Sequence, residues 1–137
     1  YGRAYDVTVA SEWYRDYTRV ASVDHSRAVV LAEDIYDVPI GRTEGGEAII
    51  TYFPEDSIWS IFNALPTPEG TPAGYEAAAK ALLVATIADV EIPVRMLTWG
   101  DAEAAEDKVD LAEEYDLKGV AFFKFDGEQD KKIWKLF

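Results

Sequence analysis

Hydrophobic positions follow a helical rhythm in some stretches of this chain and a strand-like one in others, and both are plainest near its end. Ala105, Val109, Ala112 and Tyr115 recur at spacings of four, three and three, which is one face of a helix. Asp101 precedes that helix as an N-cap, its carboxylate placed to accept from the free N–H groups of the first turn. Glu103 and Glu106 stand near the positive end of the helix dipole. Gly119 then opens Val120–Phe125, where both strand faces carry apolar side chains. A strand apolar on both sides predicts an interior place in an α/β structure, with neighbours running parallel.

The earlier elements are read the same way. Ala28, Leu31, Ala32 and Ile35 predict a helix from about Asp24 to Asp37, capped by Asp24 and ended by Val38-Pro39, since the residue before proline disfavours helix. Residues 40–43 and 48–53, joined by Glu44-Gly45-Gly46-Glu47, predict a β-hairpin whose glycines supply positive φ. Ile58, Trp59, Ile61, Phe62 and Leu65 form a short helical cluster, and the prolines and glycine from Pro66 to Pro72 mark a loop. Thr71 and Pro72 predict the start of a helix whose body, Tyr75–Ala88, is so apolar that it should be buried on most sides or covered by a partner. Pro93–Trp99 predicts a strand, and Asp130 caps a short last helix carrying Ile133, Trp134 and Phe137. Tyr1, Tyr5, Trp13, Tyr14 and Tyr17, interleaved with Arg3, Arg15 and Arg19, read either as a sugar-stacking lip or as a loop docked by its aromatics.

Composition narrows the classes. With 137 residues, 49% of them hydrophobic and 13% aromatic, the chain can bury a core. A formal charge of -13 argues against nucleic acid and against an anionic membrane surface as partners. No apolar run reaches the length of a membrane span. Cysteine is absent, so there is neither a disulfide framework nor thiolate chemistry. His25, the single histidine, has no second ligand nearby in sequence and is read as structural or solvent-facing. The start at Tyr1 reads as a cut within a longer protein.

Asp101-Ala102, Leu111-Ala112-Glu113-Glu114-Tyr115, Gly119-Val120-Ala121-Phe122-Phe123 and Asp126-Gly127-Glu128 together resemble the end of glycoside hydrolase family 18, in its bacterial chitin- and peptidoglycan-cleaving branch. Ile133-Trp134 and Leu136-Phe137 fit the family's closing helix, and Tyr1-Gly2-Arg3 is similar to the motif at the end of its seventh barrel strand. The resemblance implies an α/β fold, part of a (β/α)8 TIM barrel with an α+β insertion subdomain. Residues 1–98 would hold the end of strand seven and the insertion, and residues 99–137 the last helix-strand-helix unit. It further implies a C-terminal segment of a glycosidase acting on β-1,4-linked N-acetylglucosamine glycans, extracellular or in the cell envelope, completed by the missing N-terminal part of the same barrel. Tyr1, Arg3 and Phe123 would be its substrate-binding residues, with Phe123 where the family places a tryptophan beneath the sugar.

Family 18 enzymes use the substrate's own N-acetyl oxygen as nucleophile. Their acid comes from an Asp-x-x-Asp-x-Asp-x-Glu motif, and no stretch here completes it. Asp107 and Asp110 begin the spacing, but Ala112 stands where the third aspartate belongs; Asp34 and Asp37 fail at Pro39. The chain by itself is therefore expected to supply no catalytic residue; with a lone histidine no metal site is expected, nor is a cofactor. Two other readings remain open: a non-catalytic glycan-binding or adaptor module, and an unrelated acidic α+β domain that pairs with a partner through the Tyr75–Ala88 helix.

Overall fold

The computed structural model describes residues 2–122 and 128–137. Its centre is one five-stranded sheet in the order β2-β1-β5-β4-β3, antiparallel at every pairing. The strands are β1 (Gly2–Ala10), β2 (Trp13–Val23), β3 (Gly41–Arg42), β4 (Ala48–Tyr52) and β5 (Ile92–Trp99). The helices are α1 (His25–Val30), which runs on as a π-helical turn over Leu31–Ile35, α2 (Glu76–Ala88) and α3 (Ala102–Glu114). Two 3-10 segments, Ile58–Ala64 and Lys131–Leu136, complete the set. The result is a small mixed α/β domain.

Several elements form where local chemistry places them. Asp24, Asp101 and Asp130 each accept a backbone N–H at the start of a helical segment, from Arg27, Ala104 and Lys132. The hairpin β3–β4 turns through Gly46 at φ 86. Other expectations are corrected. The first segment is no loop: β1 and β2 form a long hairpin whose register slips at Ala4/Tyr5 and Thr8/Val9. α2 begins at Glu76, not at Pro72, because Gly74 adopts φ 90 and breaks the helical path. Of the two expectations for α2, burial on most sides within this chain is not met: Ala77, Ala81 and Ala85 are buried, whereas Leu83 and Ile87 are exposed.

The start of the apolar run after Gly119, Val120–Phe122, departs from expectation. Val120, Ala121 and Phe122 lie in no strand, Val120 is exposed, and among the described residues no two strands pair in parallel. The remainder of Val120–Phe125 falls outside the described residues. Apolar side chains on both sides of a strand need cover on both faces as well as a neighbouring ladder. The sheet's outer positions are instead taken by β2 and the two-residue β3.

Each face of the sheet carries its own core. Under α1, Ala28 and Ala32 meet Ala4, Ala48, Ile50, Tyr52, Leu97 and Trp99. Under α2, Ala77, Ala81 and Ala85 meet Val9, Phe53, Ile92 and Val94. Alanines at the contact let helix and sheet approach closely, so the bulk comes from the strands. Pro93 lies beyond the β4 ladder, which ends at Tyr52–Arg95, so its missing N–H breaks no bond on that side.

Asn63 fastens the 3-10 segment to the sheet. Its amide nitrogen donates to the Phe53 carbonyl at 2.8 Å, and its Oδ1 accepts the Phe53 N–H at 3.1 Å, extending the ladder by a side chain where β4 ends. Lys80, buried on α2, donates to the Asn63 carbonyl at 3.1 Å, and burial lowers its pKa. Replacing Asn63 by alanine leaves both backbone groups of a fully buried phenylalanine without this partner. The expected cost is about 1–3 kcal/mol, read as a lower urea midpoint with unchanged m. An unshifted midpoint would show that water replaces the amide without loss.

Candidate functional site

Alternation along β1 divides its side chains between the two faces. Val7 and Val9 point toward α2, and so by period do Arg3 and Tyr5. Arg3 lies opposite Ser22 on β2 and Thr98 on β5; Tyr5 lies opposite Arg19 and Met96. α2 packs on β1, β5 and β4, at the Val9–Ile92 end of the sheet. Among the described residues no helix packs on this face at the Arg3–Tyr5 end of β1 or on the β2 residues beside it.

That strip presents tyrosine and arginine side chains to solvent. The rings of Tyr5 and Tyr17 meet edge to face, with centroids 5.8 Å apart and planes at 80°. Tyr17 is 76% exposed, far more than a ring needs for packing alone. The register slip between Ala4 and Tyr5 places one extra residue on β2 between Arg19 and Ala21, and so brings Arg19 and Ser22 to one side, where Arg19 Nη2 donates to Ser22 Oγ at 2.6 Å. Arg3 is exposed and makes no ion pair among the described residues. The strip thus offers two aromatic rings and two guanidinium groups on a rigid hairpin. Such groups suit pyranose faces and their hydroxyls.

Of the three predicted substrate-binding residues, Arg3 stands in this strip; Tyr1 and Phe123 lie outside the described residues. Gly2, between Tyr1 and Arg3, has a packing reason: a Cβ there would come within 2.6 Å of the Trp99 Cβ and 2.8 Å of the Thr98 carbonyl oxygen. Asp107 and Asp110 sit on α3, with the Asp107 carboxylate beside Gly46 in the β3–β4 turn. His25 is half-buried and held by neighbours. The Trp99 indole N–H donates to its Nδ1 at 3.2 Å, and its Nε2 lies 4.0 Å from Asp130. Among the described residues no three His, Asp or Glu side chains are grouped to hold a metal ion, and no helix is long and apolar enough to cross a membrane.

A second polar locus escaped the sequence reading because its members lie far apart along the chain. On the α1 face, beyond the helix, a hollow of about 420 Å³ is bounded by Ala4, residues 21–24, Arg27, Leu31, Tyr36, Tyr52, Pro54, Asp56 and Arg95. Arg95 Nε donates to Asp6 Oδ1 at 2.6 Å across the β1–β5 ladder. The rings of Tyr36 and Tyr52 stack at 4.0 Å and 22°. Burial raises the Tyr52 phenol pKa, opposed in part by the neighbouring Arg95 guanidinium. Only the Asp6–Arg95 cross-strand pairing could have signalled this site, and it requires the register.

Comparison of the chain with protein-family models, with curated proteins and with solved structures returns no match.

Proposed function

We propose that this chain is the C-terminal segment of a family-18-like glycoside hydrolase acting on β-1,4-linked N-acetylglucosamine glycans. In this reading it belongs to a (β/α)8 enzyme of the cell envelope or exterior, completed by an upstream barrel portion. It supplies residues of the sugar cleft and leaves the general acid to that portion. The observation that carries the reading is the solvent-facing strip of Arg3, Tyr5, Tyr17 and Arg19 beside the Tyr1-Gly2-Arg3 motif. Rings held edge to face on a hairpin lose little freedom when a sugar stacks on them, which favours binding. The same strip would serve one alternative, a non-catalytic glycan-binding module, since ring stacking and guanidinium contacts need no acid.

The test is titration of the 137-residue chain with a soluble chitooligosaccharide, followed by amide NMR. Shifts confined to β1 and β2 are expected, and Tyr17→Ala should weaken binding about tenfold, the loss typical of an exposed aromatic anchor. Binding unaffected by Tyr17→Ala, or no binding, would overturn the proposal. Hydrolysis by a longer chain carrying the upstream acid separates the enzyme from the binding module.

A further inference from the structure

The hollow on the α1 face is a second site, separated by the sheet from the tyrosine-arginine strip. Its volume of about 420 Å³ falls within the range of small-ligand pockets, about 300–1,000 Å³. Two carboxylates border it, Asp24 and Asp56. Asp24 accepts the Arg27 N–H at 2.7 Å as helix cap, and Asp6, outside the lining, is taken by Arg95 Nε. Asp56 remains on the rim. Arg27 has no ion-pair partner among the described residues, and its charge acts on the Tyr52 phenol inside the hollow. Arg95 is only partly exposed: Asp6 engages its Nε, and the Tyr52 hydroxyl is a hydrogen-bond partner of the same guanidinium.

We infer that this hollow binds a carboxylate-bearing monosaccharide, a sugar acid, with its carboxylate between Arg27 and Arg95 and its hydroxyls toward Asp56 and the Tyr52 hydroxyl. A guanidinium fork matches the planar carboxylate, and charge-assisted bonds of this kind are about twice as strong as neutral ones. A singly charged carboxylate fits better than a dianionic phosphate, because Asp24 and Asp56 border the hollow and the chain carries a net -13. The stacked Tyr36–Tyr52 pair gives the site a stiff apolar wall.

The test compares two probes that differ at one carbon, sodium glucuronate and glucose, each titrated into the 137-residue chain under matched ionic strength. Glucuronate should shift the Arg27, Tyr52 and Arg95 resonances, with glucose binding at least tenfold weaker. Arg27→Gln, a rim change that leaves the fold intact, should reduce glucuronate affinity about tenfold and leave chitooligosaccharide binding at Tyr17 unchanged. Arg95→Lys retains charge but not the fork and should also weaken glucuronate. Equal binding of glucose and glucuronate, tighter binding of inorganic phosphate, or no effect of Arg27→Gln would each overturn the inference. None of these outcomes touches the strip on the other face.

Discussion

Trp99→Ala should cost the fold about 3–5 kcal/mol, the usual penalty for deleting a large buried aromatic side chain. Trp99 closes β5, is 2% exposed, and lies in the α1-side core with Ala4, Ala28, Ala48 and Leu97. Four of the seven buried residues that share its cluster are alanines, Ala4, Ala28, Ala32 and Ala48, which have no side-chain length to fill the space it vacates. Its indole N–H also holds His25 Nδ1, the link between α1 and the sheet's end. A domain of this size has about 5–15 kcal/mol in total, so the variant should be near its limit at 25 °C. Trp99→Phe separates the contributions: most of the packing survives, the hydrogen bond does not, and the loss should fall to about 1 kcal/mol. Urea unfolding measures both. A Trp99→Ala loss below that of Trp99→Phe would refute this account of the core.

Asp101→Ala should cost about 2–3 kcal/mol, because one carboxylate performs two tasks. It caps α3 by accepting the Ala104 N–H at 3.1 Å. It also receives both terminal nitrogens of Arg42 at 2.7 Å, tying the β3–β4 hairpin to α3. Glu103 also reaches Arg42 at 2.8 Å, but it is largely exposed and cannot replace that pair. Burial pushes the Asp101 carboxyl up, yet the Arg42 hydrogen bond, the Ala104 N–H and the Arg42 and His25 charges outweigh it and hold it below the ordinary carboxylate range. A carboxyl depressed in the folded state stabilises fully above its unfolded pKa, about 3.9, and loses that contribution as pH falls through the folded value. Wild type should therefore weaken through this group below about pH 4. Asp101→Asn, which keeps a cap acceptor without the charge, should start lower and show a shallower acid slope. Parallel pH profiles for the two proteins would exclude this assignment.

What could be read without coordinates was whatever a few neighbouring residues settle among themselves. Asp24, Asp101 and Asp130 satisfy N–H groups two or three positions away, so their roles as caps follow from spacing alone. The β3–β4 hairpin likewise depends on a glycine-bearing turn of a few residues. The β1–β2 hairpin was not legible, because its tyrosines and arginines look like a loop until a bulged register assigns them to faces. Of the candidate site, Arg3 could be named from its motif, whereas its grouping with Tyr17 and Arg19 needed the pairing of β1 with β2. Arg95 could not be named at all, since its partner Asp6 is 89 positions away.

Local sequence was enough for the caps, the β3–β4 hairpin, the existence of α1, α2, α3 and β5, and the lack of a complete acid motif. Only the tertiary structure decided that β5 enters between β1 and β4, that every pairing is antiparallel, and that Val120–Phe122 stays outside the sheet. Capping and turn bonds close within a turn of chain and are fixed by local geometry. Strand order and the company of a charged side chain depend on which distant surfaces can be buried together, and that is a property of the whole assembly of elements.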